Sequence, residues 1–168
     1  MDDATITADF VRSRIKYDPY TGKFTWLILR GRDVSALNID AGCDGRKHGY
    51  ARITFGQKGF LAHRLAWLYV TGQWPSKDID HIDGNRSNNK WLNLREASQQ
   101  QNSQNLRKAR SNSKSQLLGA HYSKCNKNWA AQIRFNGKIH HIGSFSTPED
   151  AHAAYIEKKR QVHGFCSI

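Results

Sequence analysis

From Thr7 onward, apolar side chains recur at helical spacing. Phe10, Val11 and Ile15 share a face with Arg14, which predicts a short helix capped by Thr7. "YDPYTG" (17–22) interrupts that pattern as a turn, and "KFTWLIL" (23–29) alternates like a strand. A loop rich in Gly and Asp reaches residue 49. "YARITF" (50–55) and "GFLAH" (59–63) then predict a hairpin turning at Gln57-Lys58. "HRLAWLYVTG" (63–72) returns to helical spacing and is stopped by Gly72 and Pro75. "DIDHI" predicts a short strand, Asp83-Gly84-Asn85 a turn, and the polar segment from about Leu94 a helix. The N-terminal part is expected to be a small α/β body.

The pattern then lapses. "QQQNSQNLRKARSNSKSQLL" (99–118) has no acidic residue and almost no apolar ones, and its later part predicts a solvated linker. After Gly119 regular alternation returns as three short strands, with turns at Lys127-Asn128 and Asn136-Gly137. Residues 147–164 predict a helix: Thr147 is the N-cap, Pro148 the first position, Glu149 and Asp150 the first turn, and Gly164 the stop. Ala151, Ala154, Tyr155, Lys158 and Val162 would form its packing stripe. The expected class is α+β, divided as 1–108, a basic linker 109–118, and a sheet-plus-helix domain 119–168.

Charge sharpens this division. The chain has 168 residues and a formal net charge of +12. Residues 1–80 contribute +3, 81–118 contribute +5, and 119–168 contribute +4. A basic excess concentrated in the C-terminal half points to a polyanion, with nucleic acid ahead of a membrane surface. Five Trp, six Tyr and seven Phe suffice for packed cores. The three cysteines, Cys43, Cys125 and Cys166, form no CxxC pair, so neither a disulfide framework nor a thiolate zinc site is expected. "MDDATITADF" lacks the apolar run of a signal peptide, and no stretch has the roughly 20 apolar residues that span a bilayer. A cytoplasmic protein without membrane association is the expectation.

The chemistry concentrates in "KDIDHIDGNRSNNKWLNLREAS" (77–98). A helix–loop–helix calcium loop fails here, because it needs oxygen ligands at positions 1, 3 and 5, Gly at 6 and Glu at 12. A start at Asp78 puts Ile82, Asp83 and Asn89 at positions 5, 6 and 12; a start at Asp80 puts Ile82 at 3 and Trp91 at 12. Phosphodiester hydrolysis fits better. It needs a base for water, a cation against the transition-state charge, and positive groups along the backbone. Histidine suits the first role and a carboxylate suits a hard metal. Asp80 and His81 are adjacent, so a regular strand would turn them to opposite faces, whereas a distorted strand end would let both line one pocket.

"DHIDGNRSNNKWLNLREASQQQN", with "YDPYTGKFTW", "GYARITF" and "AHRLAWLYVTGQWP" upstream, resembles HNH endonucleases of the phage and intron-encoded homing type. The resemblance implies a ββα-metal finger. His81 would be the general base, Asp80 a metal ligand, and Asn93 the brace of the loop that orients His81. Asn102, where the last letter is often His, would be the second ligand, with Asn105 one turn on as the alternative. An amide oxygen favours Mg2+ or Mn2+ over Zn2+. Arg95, Arg107, Lys108 and Arg110 would contact phosphates. His63, at a helix start with Trp67 and Val70 on its face, is expected to be structural.

"GAHYSK", "WAAQIRFNGK", "IGSF" and "EDAHAAY" resemble the APETALA/ERF-type DNA-binding domain, which implies a sheet in the major groove. Period-2 parity puts Trp129, Ala131 and Ile133 against the helix, and Gln132 and Arg134 on the open face with His121, Ser123 and His141. Gln can read adenine and Arg guanine. The first strand has His121 and Ser123 where that family is arginine-rich, and Ile139 stands where a polar reader would be expected. The combined expectation is a metal-dependent endonuclease acting on double-stranded DNA as a monomer or homodimer, with no protein partner required. Its rivals are a non-catalytic DNA-binding regulator with a degenerate finger and an RNA-cleaving enzyme.

Overall fold

A computed structural model of the chain describes residues 6–27, 49–109 and 112–166. Arg110, Cys43 and the end of the strand expected over 23–29 lie outside these residues. The chain divides into two compact units, Met1–Ser98 and Gln99–Ile168. The fold is mixed α+β with small antiparallel sheets.

In the first unit, helix α1 (Ala8–Arg14) starts where Thr7 Oγ1 accepts the Phe10 N–H at 3.2 Å. Strand β1 (Ile15–Tyr17) follows at once and pairs with β2 (Phe24–Trp26), Tyr17 opposite Phe24. Ile15 therefore ends the helix and begins a strand while staying fully buried. β3 (Arg52–Phe55) and β4 (Lys58–Leu61) form the second hairpin, with Phe55 opposite Lys58. Its turn is Gly56-Gln57, one residue earlier than the sequence pattern suggests. Gly56 adopts a left-handed φ of 64°, and Lys58 already belongs to the ladder.

Helix α2 (Ala62–Thr71) leaves β4 without a break and stops at Gly72, whose φ of 81° lets its N–H return to the Leu68 carbonyl. Its buried residues are Ala62, His63, Leu65, Ala66 and Leu68, of which the four apolar ones pack with Ile6, Val11, Ile15, Tyr17, Ile53, Phe55 and Phe60. β5 (Asp78–His81) pairs with β6 (Leu94–Ala97). The helix expected from about Leu94 is thus first a strand. Leu94 and Ala97 are buried and held in the ladder with β5, and this tertiary pairing overrides local polarity.

The second unit opens with α3 (Gln99–Gln104). Residues within the expected linker 109–118 are tied to this unit: Ser115 Oγ donates to the Leu117 and Ala120 carbonyls, and Leu117 packs against its core. β7 (Ala120–Ser123), β8 (Asn128–Phe135) and β9 (Lys138–Phe145) form a three-stranded antiparallel sheet, on which α4 (Pro148–Val162) packs. The two-residue turn Asn136-Gly137 has positive φ at both positions, as a tight hairpin of this hand requires.

β8 and β9 change register between Ala131 and Gln132: Ala131 faces Gly143, whereas Gln132 faces His141. Ile142 is the extra residue, and it packs into the core. Simple alternation from Phe145 would carry His141 to the helix side. The bulge resets it beside Gln132. On α4 the fully buried partners are Ala151 and Lys159 rather than Lys158, because positions 151, 155 and 159 rise along one side. The Lys159 ammonium donates to the Leu106 carbonyl, and burial lowers its pKa.

Tyr155 also covers Gly119, whose φ is +80° and whose missing Cβ would fall 2.0 Å from the ring. A Gly119→Ala protein is therefore expected to lose on the order of 2–4 kcal/mol of stability. Thermal unfolding followed by circular dichroism measures it; an unchanged Tm would refute the packing described.

Candidate functional site

The β5–β6 ladder remains regular to its end, with Asp80 opposite Arg95 and His81 opposite Leu94. Asp80 and His81 consequently project from opposite faces, and the distortion that would put both in one pocket is absent from this ladder. On one face Arg95 donates from Nε and Nη2 to Asp80 Oδ2, at 3.1 and 2.9 Å. Arg95, expected on a phosphate, is thus engaged with the proposed metal-ligand carboxylate. On the other face His81 is 4% exposed.

Between the two strands, residues 82–93 form a loop tied by reciprocal bonds. The Asp83 N–H donates to Asn93 Oδ1 at 2.9 Å, while Asn93 Nδ2 donates to Asp83 Oδ1 at 2.9 Å and to the Asn88 carbonyl at 2.8 Å. Asp83 also accepts from the Asn85 N–H and from Asn88 Nδ2. Partial burial alone would raise the Asp83 pKa, but the bonds from Asn88, Asn85 and Asn93 outweigh it and hold the carboxyl below its ordinary range. Asn93 thus ties Asp83 and Asn88 together within the loop.

The side chain that bonds the His81 ring is a different asparagine. His81 Nε2 lies 3.2 Å from Asn89 Oδ1. Because Asn89 Nδ2 donates to the Ser87 carbonyl, its oxygen faces the imidazole, which places a proton on His81 Nε2 and leaves the lone pair on Nδ1. Asn89 is itself fixed by the turn at 17–22. Tyr17 donates its hydroxyl to the Asn89 carbonyl at 2.7 Å, and Trp91 N–H donates to the Pro19 carbonyl. The sequence does not single out Asn89, and its backbone is held by Tyr17 across 72 positions, a contact no local pattern encodes.

Around His81 stand three more side chains that spacing did not select for chemistry. The His63 ring meets it edge to face, with centroids 5.1 Å apart, and Tyr50 lies 5.1 Å from His63 and 5.9 Å from His81. Arg86 places its guanidinium 4.9 Å from the Tyr50 ring centre, a cation–π contact that brings positive charge to the cluster. Of the two residues expected on its packing face, Trp67 packs against the core while Val70 is 40% exposed, and His63 itself is buried. Burial, then the neighbouring His81 and Arg64, lowers the His63 pKa to about 3; burial also lowers that of His81. Both rings are neutral at neutral pH.

Asn102 lies on α3, in the second unit, and its Oδ1 is buried without a hydrogen-bond partner among the described residues. That is the condition of an acceptor which a hard cation would satisfy. Asn105, the alternative ligand, is buried and bonds through its N–H to the Asn102 carbonyl. Among the described residues, no group of three or more His, Cys, Asp or Glu side chains is gathered to hold a metal. Arg107 and Lys108 are exposed. His121, Gln132, Arg134 and His141 are exposed on the second unit's sheet, with Ser123 half-buried at its edge. Ladder pairing joins Gln132 to His141, and Arg134 to the exposed Ile139, on the face away from α4.

Two paired strands, an asparagine-tied loop and a histidine at the strand end fit the class that the chain's own residues match: residues 60–104 match the family described as HNH endonuclease. Over 103 residues the chain is 35% identical to Protein 3.8 of Escherichia phage T7, covering 61% of this chain and 84% of that protein. The chain belongs to the same family as this phage protein. No solved structure matches it.

Two outcomes follow from the geometry. The unfolded state binds more protons than the folded state between the ordinary histidine pKa of 6.5 and the His63 value of about 3. Stability is thus complete above that range and declines as pH falls, by on the order of 1 kcal/mol per pH unit. Urea unfolding at pH 7 and pH 4.5 should show the loss, and a His63→Phe protein should show less of it. Separately, Gly22 has a φ of +74°, and a Cβ there would lie 2.5 Å from the backbone of Asn89 and Lys90. Gly22→Ala is expected to lower Tm and shift the His81 ring resonances, whereas unshifted resonances would disconnect this turn from the site.

Proposed function

We propose that the protein is a metal-dependent DNA endonuclease of the homing type, in which His81 is the general base. The observation that carries this reading is the hydrogen bond from His81 Nε2 to Asn89 Oδ1, which holds a neutral imidazole with its lone pair on Nδ1. His81 takes a proton from water as the water's oxygen attacks phosphorus, the P–O3′ bond breaks and the leaving 3′ oxygen takes up a proton from solvent; by the family resemblance, the products carry 5′-phosphate and 3′-hydroxyl ends. Because His81 is buried, the side chains over it must part to admit DNA. By the family resemblance Asp80 would be a ligand of Mg2+ or Mn2+, which supplies charge neutralisation at the phosphate when bound; for that its carboxylate must leave Arg95 and the end of β5 must turn it toward the side of His81. The all-oxygen donors and the unpartnered Asn102 Oδ1 support a hard cation.

Arg107, Lys108 and Arg110 contribute charge along the DNA backbone in this proposal. The open sheet face, with His121, Ser123, Gln132, Arg134 and His141, docks in the major groove as an ERF-type module and selects the target. The host cytoplasm is the proposed place of action. A monomer nicks; cutting both strands takes two such sites or two successive events.

A second reading, a DNA-binding regulator with an inactive finger, is favoured by one observation: the Asp80 carboxylate is already engaged by Arg95. Supercoiled-plasmid nicking decides between them. The enzyme should nick with Mg2+ or Mn2+, stop with EDTA, and lose at least about 100-fold in rate as His81→Ala. Full activity of His81→Ala would overturn the assignment of the base. DNA binding without nicking in either metal would establish the regulator, and preference for RNA over duplex DNA would establish the RNA-cleaving alternative.

A further inference from the structure

His63 is 5% exposed, yet its Nδ1 is buried without a hydrogen-bond partner among the described residues. Buried polar atoms are nearly always paired, because leaving water without a replacement bond is unfavourable. A phenyl ring would fill a comparable space without that defect. The nitrogen is therefore a structural disadvantage at this position, and such disadvantages concentrate where a site uses the group. His63 meets the His81 ring at an interplanar angle of 86°, with Tyr50 against both. Its backbone position is rigid: it lies in the first turn of α2, directly after β4, where the Ala62 N–H donates to the Ala51 carbonyl.

We infer that His63 is a positioning residue for His81: its ring fixes the plane of the His81 imidazole, and the dipole of that ring, acting through space and not through a hydrogen bond, biases His81 toward the tautomer protonated at Nε2. This extends the proposed nuclease reading and rests on it for its catalytic consequence. Two partners then act on one imidazole. Asn89 holds Nε2 from the finger loop, and His63 constrains the ring from α2. The device adds no positive charge beside the base, since His63 stays neutral in its buried position.

The test compares full-length wild type with His63→Phe and His63→Asn. His63→Phe should fold with a Tm equal to or above wild type and bind DNA within twofold of it. It should nick plasmid at least about tenfold more slowly through kcat, with KM unchanged, because the positioned base acts in the transition state. In metal-free protein, the 15N shifts of the His81 ring should move toward a mixture of tautomers. His63→Asn, which restores an amide near Nδ1, should recover part of both the rate and the shifts. Wild-type nicking by His63→Phe with unmoved His81 resonances would overturn the inference, as would a His63→Phe protein less stable than wild type. If wild type itself does not nick, the nuclease reading fails, while the ring shifts still decide the role of His63.

Discussion

The reciprocal bonding of Asn93 and Asp83 is the constraint on which the finger depends. One amide satisfies the Asp83 N–H, an Asp83 carboxylate oxygen and the Asn88 carbonyl, so the start and the middle of the loop are tied to the residue just before the returning strand. The backbone adds the Ile82 N–H on the Asn93 carbonyl. A loop fixed in this way can hold Asn89 beneath His81 without being buried itself. The exposed polar surface and the fixed imidazole therefore have one cause.

Much of this architecture is legible in the sequence. The helix cap at Thr147, the Asn136-Gly137 turn and the parity of Trp129, Ala131 and Ile133 are local signals, and local physics realises them. Leu94–Ala97 was misread because its polar residues suggest a helix, whereas burial of Leu94 and Ala97 depends on a partner strand thirteen to nineteen positions earlier. Lys159 is not marked by the sequence, because nothing in a helical wheel announces that the Leu106 carbonyl accepts from its ammonium.

The candidate site was legible to a different degree. Asp80 and His81 stand out as an adjacent carboxylate and imidazole, and the bracing role of Asn93 comes only from the family resemblance. The surroundings of His81 are assembled instead from Tyr50 and His63, with Tyr17 holding the Asn89 backbone, and these sit on separate elements or connections. Their convergence is a property of the packed first unit. His63 in particular resembles an ordinary helical core residue until its unpaired nitrogen and its neighbour are known.

The extra residue at Ile142 gives the second unit's sheet a property that its composition does not express. Since the bulge alone reverses the side on which His141 emerges, one inserted or deleted residue at this point would exchange which β9 side chains meet solvent and which meet α4. The sheet's outer chemistry can therefore change in a single step of chain length, with every side chain retained. Related chains that differ by one residue here would present different surfaces on the same strands. Alignments that treat such a gap as neutral would pair residues from opposite faces.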